Sequence, residues 1–194
     1  MSKRLKQAEY PTLEQMEEEI HRVKYHHRFR SALRGTVYSL AMVAAIAILV
    51  ATLWMPVLQI TGSSMTPTLV DGQLVVTIKT TEFEPGDITA FYFNNKILVK
   101  RVIASPGDWV EIDHDGNVYV NNVLLEEPYL TEKALGECNI EMPYQVPDGR
   151  FFVMGDDRAI SLDSRTTAVG TVSAEQLVGR VVLRVWPLNA ISTF

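Results

Sequence analysis

The chain has 194 residues and a formal charge of −5, unevenly spread: residues 1–35 carry +3 (8 basic, 5 acidic) and residues 61–194 carry −8 (10 basic, 18 acidic). An acidic main body excludes the basic face that nucleic-acid binding requires. A single cysteine, Cys138, excludes an internal disulfide and a Cys-rich zinc site, and His114, the only histidine beyond residue 27, leaves little for a His-based metal cluster or a Ser-His-Asp scheme.

The first 35 residues read as helix. Thr12 to Gln15 has capping-box spacing behind Pro11, and Leu13, Met16, Ile20 and Val23 repeat at 3-4-3 spacing. Two heptads are too few to decide for a coiled-coil partner helix, and an amphipathic helix on a membrane surface, or one running into a membrane span, is the preferred expectation. From Gly35 to Val70 no residue is charged, and Val37 to Val57 is apolar enough to cross a bilayer core of roughly 30 Å. Tyr38 and Trp54 sit near the two ends, where interfacial aromatics are expected. This run exceeds the h-region of a cleavable leader, so it is taken as a retained signal anchor. Arg22, Lys24, Arg28, Arg30 and Arg34 precede it, and no positive charge follows until Lys79, which places the N-terminus in the cytoplasm and the rest outside. The expected segments are 1–35, a cytoplasmic helix; 36–57, the span; and 58–194, an extracytoplasmic domain.

That domain reads as mainly β. Short β-rich runs (QLVVTIK, DITAFYF, ILVKRVIA, DWVEI, NVYVN, RFFVMG, LVGRVVLRVW) alternate with Asp-Gly, Asn-Asn and Pro-Gly-Asp turns. EIDHDGNVYVN is the clearest hairpin, with His114 as a solvated turn residue. Residues 126–146 lack periodicity and are expected to form a long excursion, with Cys138 a bystander in it.

Three segments carry candidate chemistry. Residues 60–72, ITGSSMTPTLVDG, place Ser63 and Ser64 beside a glycine, where a substrate backbone can approach closely; alone, this is an ordinary Gly-Ser loop. In residues 97–110 Lys100 lies inside an apolar strand pattern. A buried lysine sheds its proton, but one that snorkels or pairs with an acid gives the same pattern. Residues 154–170 pack Asp156, Asp157, Arg158, Ser161, Asp163, Ser164 and Arg165 together. The arginines oppose a calcium site, and a buried salt-bridge network supporting a site is the better local reading.

Taken in order, the three segments resemble the bacterial type I signal peptidases, from the anchor to Trp186-Pro187. The family's nucleophile box is matched by Ser64-Met65-Thr66-Pro67-Thr68-Leu69, its lysine box by Lys100-Arg101 with Pro106-Gly107-Asp108, and its third box by Gly155-Asp156-Asp157-Arg158 with Ser161-Leu162-Asp163-Ser164-Arg165. Asp157 replaces the usual Asn, Ala159-Ile160 replace polar residues, and Gly62 stands where some relatives carry a hydroxyl, as in the Gram-positive branch.

The resemblance implies a β-sheet or partly closed barrel catalytic domain that removes signal peptides from exported preproteins, without cofactor or metal. It implies Ser64 as nucleophile, Lys100 as general base, Ser161 orienting the amine, Asp163 and Arg165 as a structural ion pair, and Gly62 allowing close substrate approach. With Gly at that position, the Ser64 N–H is expected to carry the oxyanion. Ile60, Leu69 and Val99 are candidate pocket residues for small side chains at −1 and −3. The expected partners are preproteins and the lipid bilayer, with no nucleic acid, and a monomer is favoured. A tethered assembly domain lacking the dyad and a self-cleaving repressor are the rivals. Retention of Ser64 and Lys100 speaks against the first, and the span and lack of a DNA-binding helical domain against the second.

Overall fold

The computed structural model describes residues 13–194; the expected capping box at Thr12, with Pro11, lies outside them. A continuous helix, α1, runs from Leu13 to Trp54. No break separates the charged first part from the apolar second, so the expected border at residue 35 is not a break in the helix. The helix ends before Pro56, which has no N–H to donate and disfavours helical geometry at Met55. Residue 57, expected inside the span, instead opens the first strand. The described side chains of α1 are exposed, and its second part has a mean hydropathy of 2.2 over 18 residues, long and apolar enough to cross a membrane.

Residues 51–194 form a separate compact unit. Its strands are β1 (Val57–Gln59), β2 (Leu74–Ile78), β3 (Ile88–Phe93), β4 (Lys96–Ala104), β5 (Trp109–Ile112) and β6 (Val118–Val120). They continue as β7 (Val123–Leu124), β8 (Tyr144–Gln145), β9 (Arg150–Met154), β10 (Val172–Ser173), β11 (Leu177–Trp186) and β12 (Ser192–Thr193). The larger sheet has the order β1-β2-β11-β3-β4-β9-β10, with β12 on β11, and the smaller has β7-β6-β5-β8. All pairings are antiparallel, so the domain is mainly β; the larger sheet is not closed into a barrel, since β1 and β10 remain edges.

The turns follow local chemistry. Asn94-Asn95 joins β3 to β4 as a two-residue hairpin, with Asn94 at φ +49°. The β5–β6 turn is wider than an Asp-Gly hairpin: Asp113 accepts from the backbone N–H groups of Asp115 and Asn117 and from the Asn117 side chain. These bonds, the Asn117 side chain first, hold the Asp113 carboxyl below the usual range. His114 is exposed in that turn.

β4 organises the core because successive side chains face opposite ways. Ile103 packs with Val110, Ile112, Val118 and Phe152, joining the two sheets. Val102 packs with Phe91, Phe151 and Val153 in a second cluster. Val99 borders a third, formed by Ile60, Met65, Leu69, Val75, Ile88 and Val181 beneath the candidate site.

Candidate active site

The segment 60–72 leaves β1 and returns to β2 as a closed loop. Ile60 N–H donates to Gln73 O, Gly72 N–H to Ile60 O, and Gly62 N–H to the Asp71 carboxylate at 2.7 Å. Gly62 adopts φ +88°, which favours glycine. Met65 and Leu69 plug into the core, and Leu69 N–H donates to Met65 O. This anchoring holds Ser64, which is half-buried, in one place. Among the described residues nothing accepts from the Ser64 N–H, whereas the Gly62 N–H is already taken by Asp71.

Lys100 comes from β4, opposite Thr89 of β3, and is only 3% exposed. Its Nζ lies 2.6 Å from Ser64 Oγ. Burial pushes its ammonium from 10.5 down to about 8; Asp163 pulls the other way, Arg165 reinforces the fall, and Asp156 opposes it. At pH 7 about a tenth of Lys100 is then neutral, against well under ~1% of a free lysine.

The third segment closes over the dyad. Asp157 N–H donates to Ser64 O at 3.0 Å, and Ser161 N–H to Asp157 O at 3.1 Å. A methyl group added at Gly155 would overlap both the Ser64 carbonyl oxygen and Ser161 Oγ, so this close approach needs glycine. Asp163 accepts from Gly155 N–H and binds Arg165 through both carboxylate oxygens, at 2.8 and 2.9 Å, with both side chains fully buried. The hydrogen bond that the resemblance implies from Ser161 to Lys100 is not made. Ser161 Oγ is buried without a partner, and Lys100 Nζ is turned to Ser64.

The pocket residues separate. Ile60 and Val99 line a small cleft beside the dyad, with Gly62, Ser64, Ile97 and Lys100, and the cleft holds about 50 Å³. Leu69 does not line it: its side chain is fully buried in the core below, drawn in by Met65, Val75 and Val181. The cleft runs between β1 and the first half of β4. There residues 96–100 pair only with β3, because β9 pairs from Arg101 onward.

The buried salt-bridge network expected of residues 154–170 is present, and it extends to partners outside that segment that the sequence did not point to. Arg101 binds Asp156 through both oxygens, donates to Gly86 O at 2.8 Å and Thr68 Oγ1 at 3.3 Å, and lies 3.8 Å from the centre of the Tyr129 ring. Arg158 pairs with Glu127, both fully buried. Tyr129 donates to Glu127 Oε1 at 2.9 Å, and burial, aided by Glu127, pushes its hydroxyl pKa up. Arg165 donates to the carbonyls of Leu135 and Arg158 at 2.6 and 2.9 Å. The aperiodic excursion 126–146 thus contributes to all three arginine sites. Cys138, half-buried within it, takes no part in them.

A serine hydroxyl against a buried amine, within a mainly antiparallel β unit, is the arrangement of the serine hydrolases that use lysine where others use histidine. The family model "Signal peptidase, peptidase S26" matches residues 33–186. Signal peptidase IB of Staphylococcus aureus (strain COL) is 36% identical over 174 residues, 79% of this chain and 89% of that protein. Thylakoidal processing peptidase 1, chloroplastic, of Arabidopsis thaliana is 37% identical over 150 residues, 69% of this chain; the match spans only 42% of the plant protein. A solved signal peptidase I from Enterococcus faecalis V583 is 30% identical, with a TM-score of 0.44 over 51% of this chain and 96% of that one. The chain belongs to the signal peptidase family, peptidase S26, and is a serine endopeptidase.

Proposed function

We propose that this protein is a membrane-anchored signal peptidase that removes N-terminal signal peptides from exported preproteins, with Ser64 as nucleophile and Lys100 as general base. The observation that carries this is the 2.6 Å contact between Ser64 Oγ and the buried Lys100 amine. Neutral Lys100 takes the Ser64 proton as Oγ attacks the substrate carbonyl. The Ser64 N–H, which no described residue uses, stabilises the oxyanion. Protonated Lys100 then gives its proton to the leaving amine, and the C–N bond breaks. A water, deprotonated by the same amine, hydrolyses the Ser64 ester.

The substrate binds extended between the open edges of β1 and β4, so alternate side chains at −1 and −3 point the same way. A cleft of about 50 Å³ suits alanine, glycine or serine. A larger residue at −1 displaces the scissile carbonyl, and about 1 Å of misplacement can cost about 100-fold.

α1 anchors the enzyme, with its basic flank Arg22, Lys24, Arg28, Arg30 and Arg34 in the cytoplasm and the β unit outside. Ser64 is ten residues beyond Trp54, within about 35 Å of extended chain from the helix end. That reach suits cleavage just outside a membrane-held segment. The test is detergent-solubilised full-length protein with an exported preprotein, beside Ser64→Ala. Cleavage after Ala-x-Ala by the first and not the second is expected; cleavage by Ser64→Ala refutes the assignment, with Ser63 the first alternative.

A further inference from the structure

A second hollow, of about 330 Å³, begins two residues beyond the nucleophile in the same loop, at Thr66. It shares no lining residue with the small cleft; along the loop, Ser64 and Met65 line the cleft and the next residue, Thr66, lines the hollow. One wall is the third segment, including Asp157 and Ala159; the other is the excursion, through Thr131, Glu132 and Ala134. Both walls are held. The Asp157 N–H is bonded to the Ser64 carbonyl, Arg158 bridges to Glu127, and Arg165 grips the Leu135 carbonyl.

The charges on these walls do not balance. Asp156 is neutralised by Arg101, and Arg158 by Glu127. Among the described residues no cation pairs with Asp157 or Glu132. An endopeptidase must hold its substrate on both sides of the bond it cuts. The small cleft has room only for small side chains before the bond, whereas this hollow is within the usual range for a ligand site. We propose that it takes the first two or three substrate residues after the scissile bond, and that Glu132 and Asp157 make it favour a basic over an acidic side chain there. The proposal rests on the endopeptidase reading above and adds to it a selectivity for the mature part of the substrate.

The experiment uses full-length protein in detergent and two peptides. Both carry Ala-x-Ala before the cut, and they differ only in Lys or Glu at the second position after it. Opposite and like charges a few ångströms from two carboxylates in a wet groove should separate kcat/KM by about tenfold at low salt. The ratio should fall towards one in Glu132→Gln/Asp157→Asn, and in the unaltered enzyme at high salt, where such charges are screened. A wild-type ratio near one, or a ratio that survives both treatments, overturns the proposal. Binding of the uncut peptides to Ser64→Ala, read by fluorescence anisotropy, separates recognition by the groove from cleavage by Ser64. Preference for the Lys peptide without cleavage by the Ser64 enzyme removes the peptidase reading and leaves the groove standing; cleavage of both peptides at equal rates removes the groove alone.

Discussion

Two neighbouring regions of the β unit bury cations and treat them in opposite ways. Below the site, Arg101, Arg158 and Arg165 are each matched by a carboxylate: Asp156, Glu127 and Asp163. At the cleft, Lys100 is equally buried and faces a neutral hydroxyl. Among the described residues the buried charged side chains number four cations and three carboxylates, and Lys100 is the cation left over. An arginine keeps its proton under any usable condition, so it must be paired when buried. A lysine without a carboxylate of its own relieves the cost of burial by releasing its proton, and a neutral amine is what a serine nucleophile needs. The paired arginines tie the loops together, and in the proposed mechanism the unpaired lysine supplies the base.

The largest expected effect comes from ending this contrast at the cleft. Lys100→Arg keeps a cation that does not deprotonate, and Ser64→Ala removes the proposed nucleophile. Each should lower kcat/KM on an Ala-x-Ala preprotein by at least about 10³-fold, with the β unit still folded by circular dichroism. Substantial activity in Lys100→Arg would mean that the base lies elsewhere.

Breaking the paired region should act mainly on stability. Asp163→Ala leaves Arg165 buried without its carboxylate, which costs about 3–5 kcal/mol and lowers Tm by about 10 °C, with activity falling as the third segment loosens. Loss of activity at an unchanged Tm would instead place Asp163 in the chemistry.

A smaller effect of opposite sign is expected at Lys100. Its folded-state pKa, about 8, is below the unfolded value of 10.5, so the unfolded chain binds more protons between these limits and stability rises with pH across them. Below pH 8 the full cost of charging the buried amine is present. Lys100→Met should therefore stabilise the protein at pH 7 by up to about 3 kcal/mol, and the gain should vanish above about pH 10.5. Denaturant unfolding at pH 7 and pH 10.5 measures this; a destabilised variant at pH 7 would mean that Lys100 is paired after all.

These regions were not equally legible in the sequence. The longer strands were, because alternation and Asp-Gly, Asn-Asn and Pro-Gly signals act locally: β2, β3, β5, β6, β9 and β11 lie within the expected runs and β4 exceeds its run by one residue, whereas the two- and three-residue strands β1, β7, β8, β10 and β12 lie outside every run. Lys100 was visible as a charge inside an apolar strand, although snorkelling gives the same pattern. The arginine bed was legible only within residues 154–170, as a salt-bridge network with its Asp163–Arg165 pair; its distant partners were not. Arg158 lies 31 residues from Glu127 and Arg101 lies 55 from Asp156, and no periodicity links such partners. Glu127 and Tyr129 sit in a segment whose lack of period is itself the reason it reads as a plain loop. Leu69 was misplaced for a related reason: nearness to Ser64 in sequence does not say which way a side chain turns, and the core took it.

Among the described residues Lys100 is the one buried cation left without a carboxylate, and the proposed mechanism has it act as a neutral amine for that reason. The pH dependence of kcat/KM for the full-length protein tests this most directly, since it reports the titration of the free enzyme. Activity should rise about tenfold per pH unit and level off near pH 8. A rise that continues to pH 10, the titration of an ordinary exposed lysine, would contradict the claim.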